Sequence, residues 1–318
     1  MDRRALSYPH RDCAVREVIS CIVRKPSFEI LFHPAHFAGR RDRKKREKMK
    51  ITLIGYGEVG QIFARELLGG GASSVSTFDV LFADAARSEK HRATAAKDNV
   101  RLCMSAAEAG EGADVIISAV TADKVKQVAT EAATWLKPGQ YFLDVNSAAP
   151  NTKREAAQIV APTGAHYVEG AVMAPVPGPG IKVQILGGGP KAEELAPQLN
   201  ALGMNIQPVA QEYGRASAMK LCRSIMIKGI EALIVDCAKA AKEWNVETEV
   251  FGSLDASYPS IDWRKLSVDM AGRVRQHGVR RGAEMREAAA MVADLGMMNE
   301  LELAVADAQT RGAGKAGL

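Results

Sequence analysis

The chain has 318 residues, 47% hydrophobic and 25% charged, globular proportions that supply apolar material for about two domains and exclude a fibrous or mainly disordered protein. Its net charge of +5 is unevenly spread: 13 of the 42 lysines and arginines but only 6 of the 37 acids fall within residues 1–48. The remainder is slightly acidic, which excludes a nucleic-acid footprint on the body of the protein.

Residues 1–48 end in a basic run, Arg40 to Lys48, and lack the apolar core of a signal peptide, because Arg16, Glu17, Arg24 and Lys25 interrupt every candidate. This segment reads as a disordered leader, with Met49 as an alternative start. Five cysteines (Cys13, Cys21, Cys103, Cys222, Cys237) without a C-x-x-C argue against a disulfide scaffold or zinc site, and reduced thiols point to the cytoplasm. No trio of His, Cys or carboxylates has metal-ligand spacing, so no metal is expected.

Lys50 to Ile54 is a short apolar, β-branched run typical of a buried parallel strand. Gly55-Tyr56-Gly57-Glu58-Val59-Gly60 follows at once, and a helical pattern with Val59, Ile62, Phe63 and Leu67 on one face continues from it. A G-x-G-x-x-G between strand and helix is the dinucleotide fingerprint. Its glycines allow a tight turn, close approach of a pyrophosphate, and close helix–strand packing, with the phosphates on the helix N-terminus. The next strand, Ser74 to Phe78, ends at Asp79, 19 residues beyond Gly60, the place of the acid that binds the adenosine ribose. A carboxylate there repels a 2′-phosphate and favours NAD over NADP, although Arg87, Lys90 and Arg92 follow closely.

The α/β rhythm continues with strands at Val100–Cys103, Asp114–Val120, Tyr141–Val145, His166–Glu169 and Ile181–Leu186. Ligands of such sheets bind beyond the carboxyl ends of the strands, which places Val120, Thr121, Asn146 and Ser147 at the mouth of the cofactor crevice. From about Glu212 to Trp244 the pattern becomes one long helix, with apolar residues round nearly its whole circumference, so burial on most sides is expected. Its richest stretch, Leu221 to Val235, is broken by Arg223, Lys228 and Glu231 and is too polar to cross a membrane. Lys220 sits in its first turns among apolar neighbours, where desolvation would bring its pKa toward the range useful for proton transfer. A snorkelling lysine at a domain boundary is the alternative. Further on, Arg273 to Arg281 is basic; a guanidinium such as Arg281 forks onto a carboxylate or phosphate, whereas a solvated face paired with Glu284 and Glu287 explains the other arginines.

The order of fingerprint, D-x-N-S-x-x-P at Asp144 to Pro150, and G-x-[GA]-x-x-x-K at Gly214 to Lys220 resembles the β-hydroxyacid dehydrogenases. That group includes 3-hydroxyisobutyrate, tartronate semialdehyde and 6-phosphogluconate dehydrogenases. The resemblance covers Met49 to Thr310 and is closest to a 6-phosphogluconate dehydrogenase-like branch with an uncharacterised C-terminal domain. It implies Lys220 as general acid/base and Ser147, with Asn146 beside it, as the group that meets substrate. The chain departs from the family at three places: Ser224 where K-x-x-N-N has an asparagine, Met173-Ala174-Pro175 in place of S-G-G, and His277-Gly278-Val279 in place of K-D-L. Met173, Ser224, His277 and Arg281 are therefore the candidate substrate residues.

The resulting expectation is an α/β Rossmann-type domain over 49–211, an all-helical domain over 212–310 and a flexible tail over 311–318. Gly55, Gly57, Glu58, Val59, Gly60, Asp79, Val120 and Thr121 would hold NAD or NADP. The activity expected is hydride transfer to or from a small, anionic hydroxy acid or polyol-derived acid, in a homodimer whose apolar helices cover one another. A C=N reductase of similar architecture and a non-catalytic nucleotide-fold binding module are the two alternatives.

Overall fold

The structure, a computed structural model, describes residues 49–314, the side chains of residues 85–87 excepted. The expectations for the leader, for the end of the tail and for the Arg87 side chain lie outside the described residues. Among the described residues no helix is long and apolar enough to cross a membrane.

Eight strands form one sheet: β1 (Lys50–Ile54), β2 (Ser74–Phe78), β3 (Arg101–Leu102), β4 (Val115–Ser118), β5 (Tyr141–Asp144), β6 (His166–Val172), β7 (Gln184–Gly188) and β8 (Asn205–Ala210). Their order is β3-β2-β1-β4-β5-β6-β7-β8, parallel throughout except where β7 runs antiparallel to β6. Between them lie α1 (Glu58–Gly69), α2 (Ala85–Lys97), α3 (Ala106–Gly110), α4 (Val125–Ala132), α5 (Pro150–Val160) and α6 (Ala192–Asn200). Four helices complete the chain: α7 (Arg215–Glu243), α8 (Glu247–Ser257), α9 (Trp263–Asp294) and α10 (Glu300–Gly312). The architecture is a Rossmann-type N-terminal domain followed by a helical C-terminal region.

The period-two alternation of a strand explains how one sheet feeds two cores. Leu53, Val115, Ile117, Leu143 and Val168 face one side, where Phe63 and Leu67 of α1 and Leu195 and Leu199 of α6 cover them. Ile116, Phe142 and Tyr167 face the other, against Val125 and Ala129 of α4 and Ala156 and Val160 of α5. Two details differ from the sequence reading. β7 begins at Gln184, because Gly180–Lys182 closes a 3-10 turn instead of extending the strand. β8 was not anticipated: Gln207-Pro208 breaks its apolar pattern, and the proline is accommodated because β8 lies at the edge of the sheet.

The described chain forms two compact units, one of 49–225 with Ala283–Ala306, the other of Met226–Gly282 with 307–314. In the second unit Ile234 and Val235 of α7 pack on Met270 and Val274 of α9. The same helices bury a charged centre. Glu231 is fully buried and pairs with Arg281, with Arg273 at 3.6 Å, while Gln309 donates to the Lys228 carbonyl at 3.2 Å. Arg281, a candidate anion-binding group in the sequence, thus meets a carboxylate of α7. The burial of α7 is also less complete than its sequence suggests, since Met226 and Leu233 are 54% and 71% exposed in the single chain.

Removing one member of a buried pair strands the other's charge and costs about 3–5 kcal/mol. Arg281→Met is therefore expected to lower the melting temperature by several degrees, and adding Glu231→Leu to recover most of the loss. A single variant as stable as the parent would contradict this account of the centre.

Candidate functional site

The glycine loop follows β1. Gly55 has φ +96°, and a Cβ there would stand 2.4 Å from the Ala119 carbonyl oxygen; one on Gly60 would stand 2.1 Å from that of Gly55. Only glycine fits at either place. At Gly57, by contrast, no atom lies within 4 Å of where a Cβ would be, so the loop is open on that side. Gly57 caps α1 without a side-chain partner, which leaves the first amides of the helix, from Glu58, Val59 and Gly60, available to an anion. These residues fit a dinucleotide pyrophosphate.

Asp79 sits beside the loop. Its Oδ2 accepts the Tyr56 N–H at 2.7 Å and its Oδ1 the Leu81 N–H at 2.9 Å. The carboxylate thus ties the glycine loop to the end of β2, and each oxygen keeps a lone pair for a ribose hydroxyl. Phe82, Ser88, Glu89, Arg92 and Met104 line an open hollow of about 510 Å³. Val120 is half-buried and Thr121 exposed at the end of β4.

Beyond β5 the chain turns through Asn146, Ser147, Ala148 and Ala149 into α5. Asp144, 1% exposed, organises this turn: its Oδ1 accepts the Asn146 N–H at 2.9 Å, the Asn146 amide at 2.7 Å and the Lys153 ammonium at 2.8 Å. Its Oδ2 accepts the Tyr167 hydroxyl at 2.7 Å. Burial, and then the Asp144 charge, push the Tyr167 hydroxyl well above its ordinary pKa, so it remains a donor. Lys153, fully buried, also donates to the Asp144 carbonyl at 3.0 Å. The second Asn146 amide hydrogen goes to Ser118 Oγ at 3.0 Å, and Asn146 Oδ1 accepts the Val120 N–H at 2.6 Å. Both amide hydrogens of Asn146 are therefore spent within the protein, and it acts on the turn and on the Val120 loop.

Ser147 carries the hydroxyl that faces outward, and Lys220 Nζ donates to its Oγ. Lys220 is delivered by α7, whose start is fixed from β6: Glu169, fully buried, accepts the Gly214 N–H and the Ser217 N–H, both at 2.6 Å. A carboxylate is well placed there, because a helix N-terminus offers unpaired amides and a positive dipole end. Gly214 has φ +91°, which lets the chain enter the helix at this angle.

Lys220 shares a stripe of α7 with Ala216 and Ser224, one turn to either side. Met173 packs with Ala171 and Leu186 against Ala216, and Ser224 is buried. Lys220, Ser147, Asn146, Met173 and Ser224 thus lie in one unit, whereas His277 and Arg281 belong to the other. Sequence reasoning missed Glu169 and Lys153 as organisers of the site. For Lys153 a signal existed: it falls on the buried stripe of α5 with Pro150, Ala157 and Val160, where a lysine needs a partner.

Comparisons with known proteins find relatives for both parts of the chain. Residues 50–210 match the NAD-binding domain of 6-phosphogluconate dehydrogenase, and residues 241–313 match a domain of unknown function, DUF1932. A conserved hypothetical protein of Sinorhizobium meliloti is 38% identical, with 83% of this chain and 88% of that one aligned and a TM-score of 0.72. A second conserved protein, reported as similar in structure to 3-hydroxyacid dehydrogenases, is 28% identical over 83% of this chain and 98% of its own, with a TM-score of 0.67. The 3-hydroxyisobutyrate dehydrogenase of Mycobacterium tuberculosis, solved with L-serine, shares the fold at 18% identity, 83% and 94% coverage and a TM-score of 0.68.

Lys153→Met would leave Asp144 charged and unpaired, at a cost of about 3–5 kcal/mol. The matched change Lys153→Met with Asp144→Asn should melt closer to the parent. Equal melting temperatures for the single variant and the parent would show that the pair does not hold the turn.

Proposed function

The chain belongs to the family of the 6-phosphogluconate dehydrogenase NAD-binding domain, within the β-hydroxyacid dehydrogenase superfamily, and from that premise we propose that it oxidises the carbinol of a small hydroxy acid. The observation that carries the proposal is the contact between Lys220 Nζ and Ser147 Oγ. It brings an ammonium group and a hydroxyl together after β5, and the glycine loop after β1 suits a dinucleotide.

A bound nicotinamide would supply the acceptor for a hydride from the carbinol carbon, or the donor in the reverse direction. Gly55 to Gly60 would hold its pyrophosphate, and Asp79 its adenosine ribose. Lys220, in its neutral form, removes the hydroxyl proton during oxidation and returns it during reduction, so the substrate loses one hydride and one proton. Ser147 orients the reacting oxygen through its hydroxyl. Asn146 holds the turn beneath it through its bonds to Ser118, Asp144 and Val120. The Asp79 carboxylate repels a 2′-phosphate, which supports NAD over NADP as the cofactor. The same proposal includes a homodimer, in which a second copy covers Met226 and Leu233 and doubles the 34.1 kDa mass in light scattering.

Proton-transfer groups contribute about 10²–10⁴-fold to rate. Lys220→Ala is expected to reduce turnover of an active hydroxy acid by that order while NADH still binds; retained turnover would reject the assignment. Fluorescence titration with NADH and NADPH should favour NADH, and Asp79→Ala should narrow the difference. An unaltered preference would take that role from Asp79.

A further inference from the structure

Ser147 is presented by a turn that ends where α5 begins. A helix start leaves amides without partners, and a side chain at the cap position normally accepts one of them. Here the cap residue is Ala149, which has no side chain able to do so. A different amide of this helix start, that of the cap residue itself, is met from α9: Glu287 Oε2 accepts the Ala149 N–H at 2.7 Å, across 138 residues of sequence. The turn is thus held on both sides of Ser147, before it by the Asp144–Asn146 bonds and after it by Glu287. We propose that Glu287 is a positioning residue for the reaction, fixing through the Ala149 N–H the turn that sets the Ser147 hydroxyl against Lys220. The role in the reaction rests on the dehydrogenase reading; the clamp on the turn does not.

The clamp has a pH dependence that can be worked out. Burial raises the Glu287 carboxyl above its ordinary pKa, and the exposed Asp123 adds to the rise; the Ala149 N–H and the Lys153 ammonium on α5 oppose it. On its own helix Glu284 is the charged residue at turn spacing. The carboxylate is a stronger acceptor than the neutral acid. The clamp therefore weakens as pH falls through the raised value and is full above it.

Two measurements on the full-length protein test this. Hydrogen exchange of the segment 146–152, read by mass spectrometry, requires no turnover. Glu287→Ala should speed exchange there, and Glu287→Gln, which keeps an acceptor oxygen, should restore protection. Kinetics are then followed in the direction of carbonyl reduction with NADH and hydroxypyruvate, or the first active member of a panel of 2- and 3-oxo acids. In that direction Lys220 acts as the acid and stays protonated at low pH. A small displacement of a reacting group costs on the order of 10²-fold. Glu287→Ala should lower kcat by up to that factor with NADH affinity unchanged. Glu287→Gln should recover most of it and lose the acidic limb that the parent shows. Faster exchange in the alanine variant with unchanged kcat and pH profile would overturn the proposal, leaving Glu287 a structural cap. Responsive exchange with no turnover of any oxo acid by the parent would instead overturn the dehydrogenase reading, and the role in reaction with it. Unchanged exchange in the alanine variant would remove the clamp itself.

Discussion

One buried carboxylate holds the carboxyl edge of the sheet together. Asp144 ends β5 in surroundings that exclude water, so its charge needs a counter-charge and its lone pairs need donors. Lys153 supplies the first; the backbone and side-chain amides of Asn146 and the Tyr167 hydroxyl supply the others. Burying both ions costs more desolvation than their attraction is certain to return, so stability alone is a poor reason for the pair. Its evident consequence is geometric: Asn146 of the turn, Lys153 of α5 and Tyr167 of β6 converge on Asp144, and Asn146 passes the constraint on to Val120 of the neighbouring strand end. The Val120 loop and the Ser147 turn are thereby set by the same group.

Glu169 does the corresponding work for α7. A helix of 29 residues whose apolar positions are spread round its circumference has no single face to tell it where to dock. Two amides held at 2.6 Å by a buried carboxylate fix where it starts, and Lys220 lies one turn further on. Gly188 belongs to the same constraint, because a Cβ there would stand 2.8 Å from Glu169 Oε2. Asp144 thus places Ser147, Glu169 places Lys220, and the two carboxylates come from adjacent parallel strands whose register pairs them directly. A register slip of one residue between β5 and β6 would send one of the two to the opposite face of the sheet.

The turn also divides labour between neighbouring polar residues. Asn146 and Ser147 look equivalent in sequence, two small polar side chains at the end of a strand. Asn146 points into the protein, where each amide hydrogen meets an acceptor, and Ser147 points out to Lys220. An amide left half-satisfied in that buried position would cost about 1–3 kcal/mol, which accounts for its full engagement. Met173, at the place where the resemblance expects a small polar residue, instead packs on Ala216. That surface of the α7 stripe is apolar, and the polar chemistry is concentrated one turn later at Lys220.

What could be read from sequence follows from the range over which each signal acts. The central strands are continuous apolar runs and the glycine spacing is local, so β1, β4, β5 and the cofactor loop are legible without any partner. β8 is not, because Gln207-Pro208 hides a strand that exists only through its pairing with β7. Lys220, Ser147 and Asp79 are legible because each lies within a short motif. Glu169, Lys153 and Glu287 are charges whose meaning is set by partners: the helix start 45 residues on, the strand end 9 residues back, and the turn 138 residues back. Local pattern assigns such charges to solvated faces, which is how Glu287 came to be read as a partner for the arginines beside it. Arg281 is the reverse case: a guanidinium taken for an anion-binding group meets a carboxylate, Glu231, whose burial on α7 no nearby residue announces. The candidate residues for the chemistry are therefore readable from motifs, whereas those that hold them in place become visible only when the chain is folded.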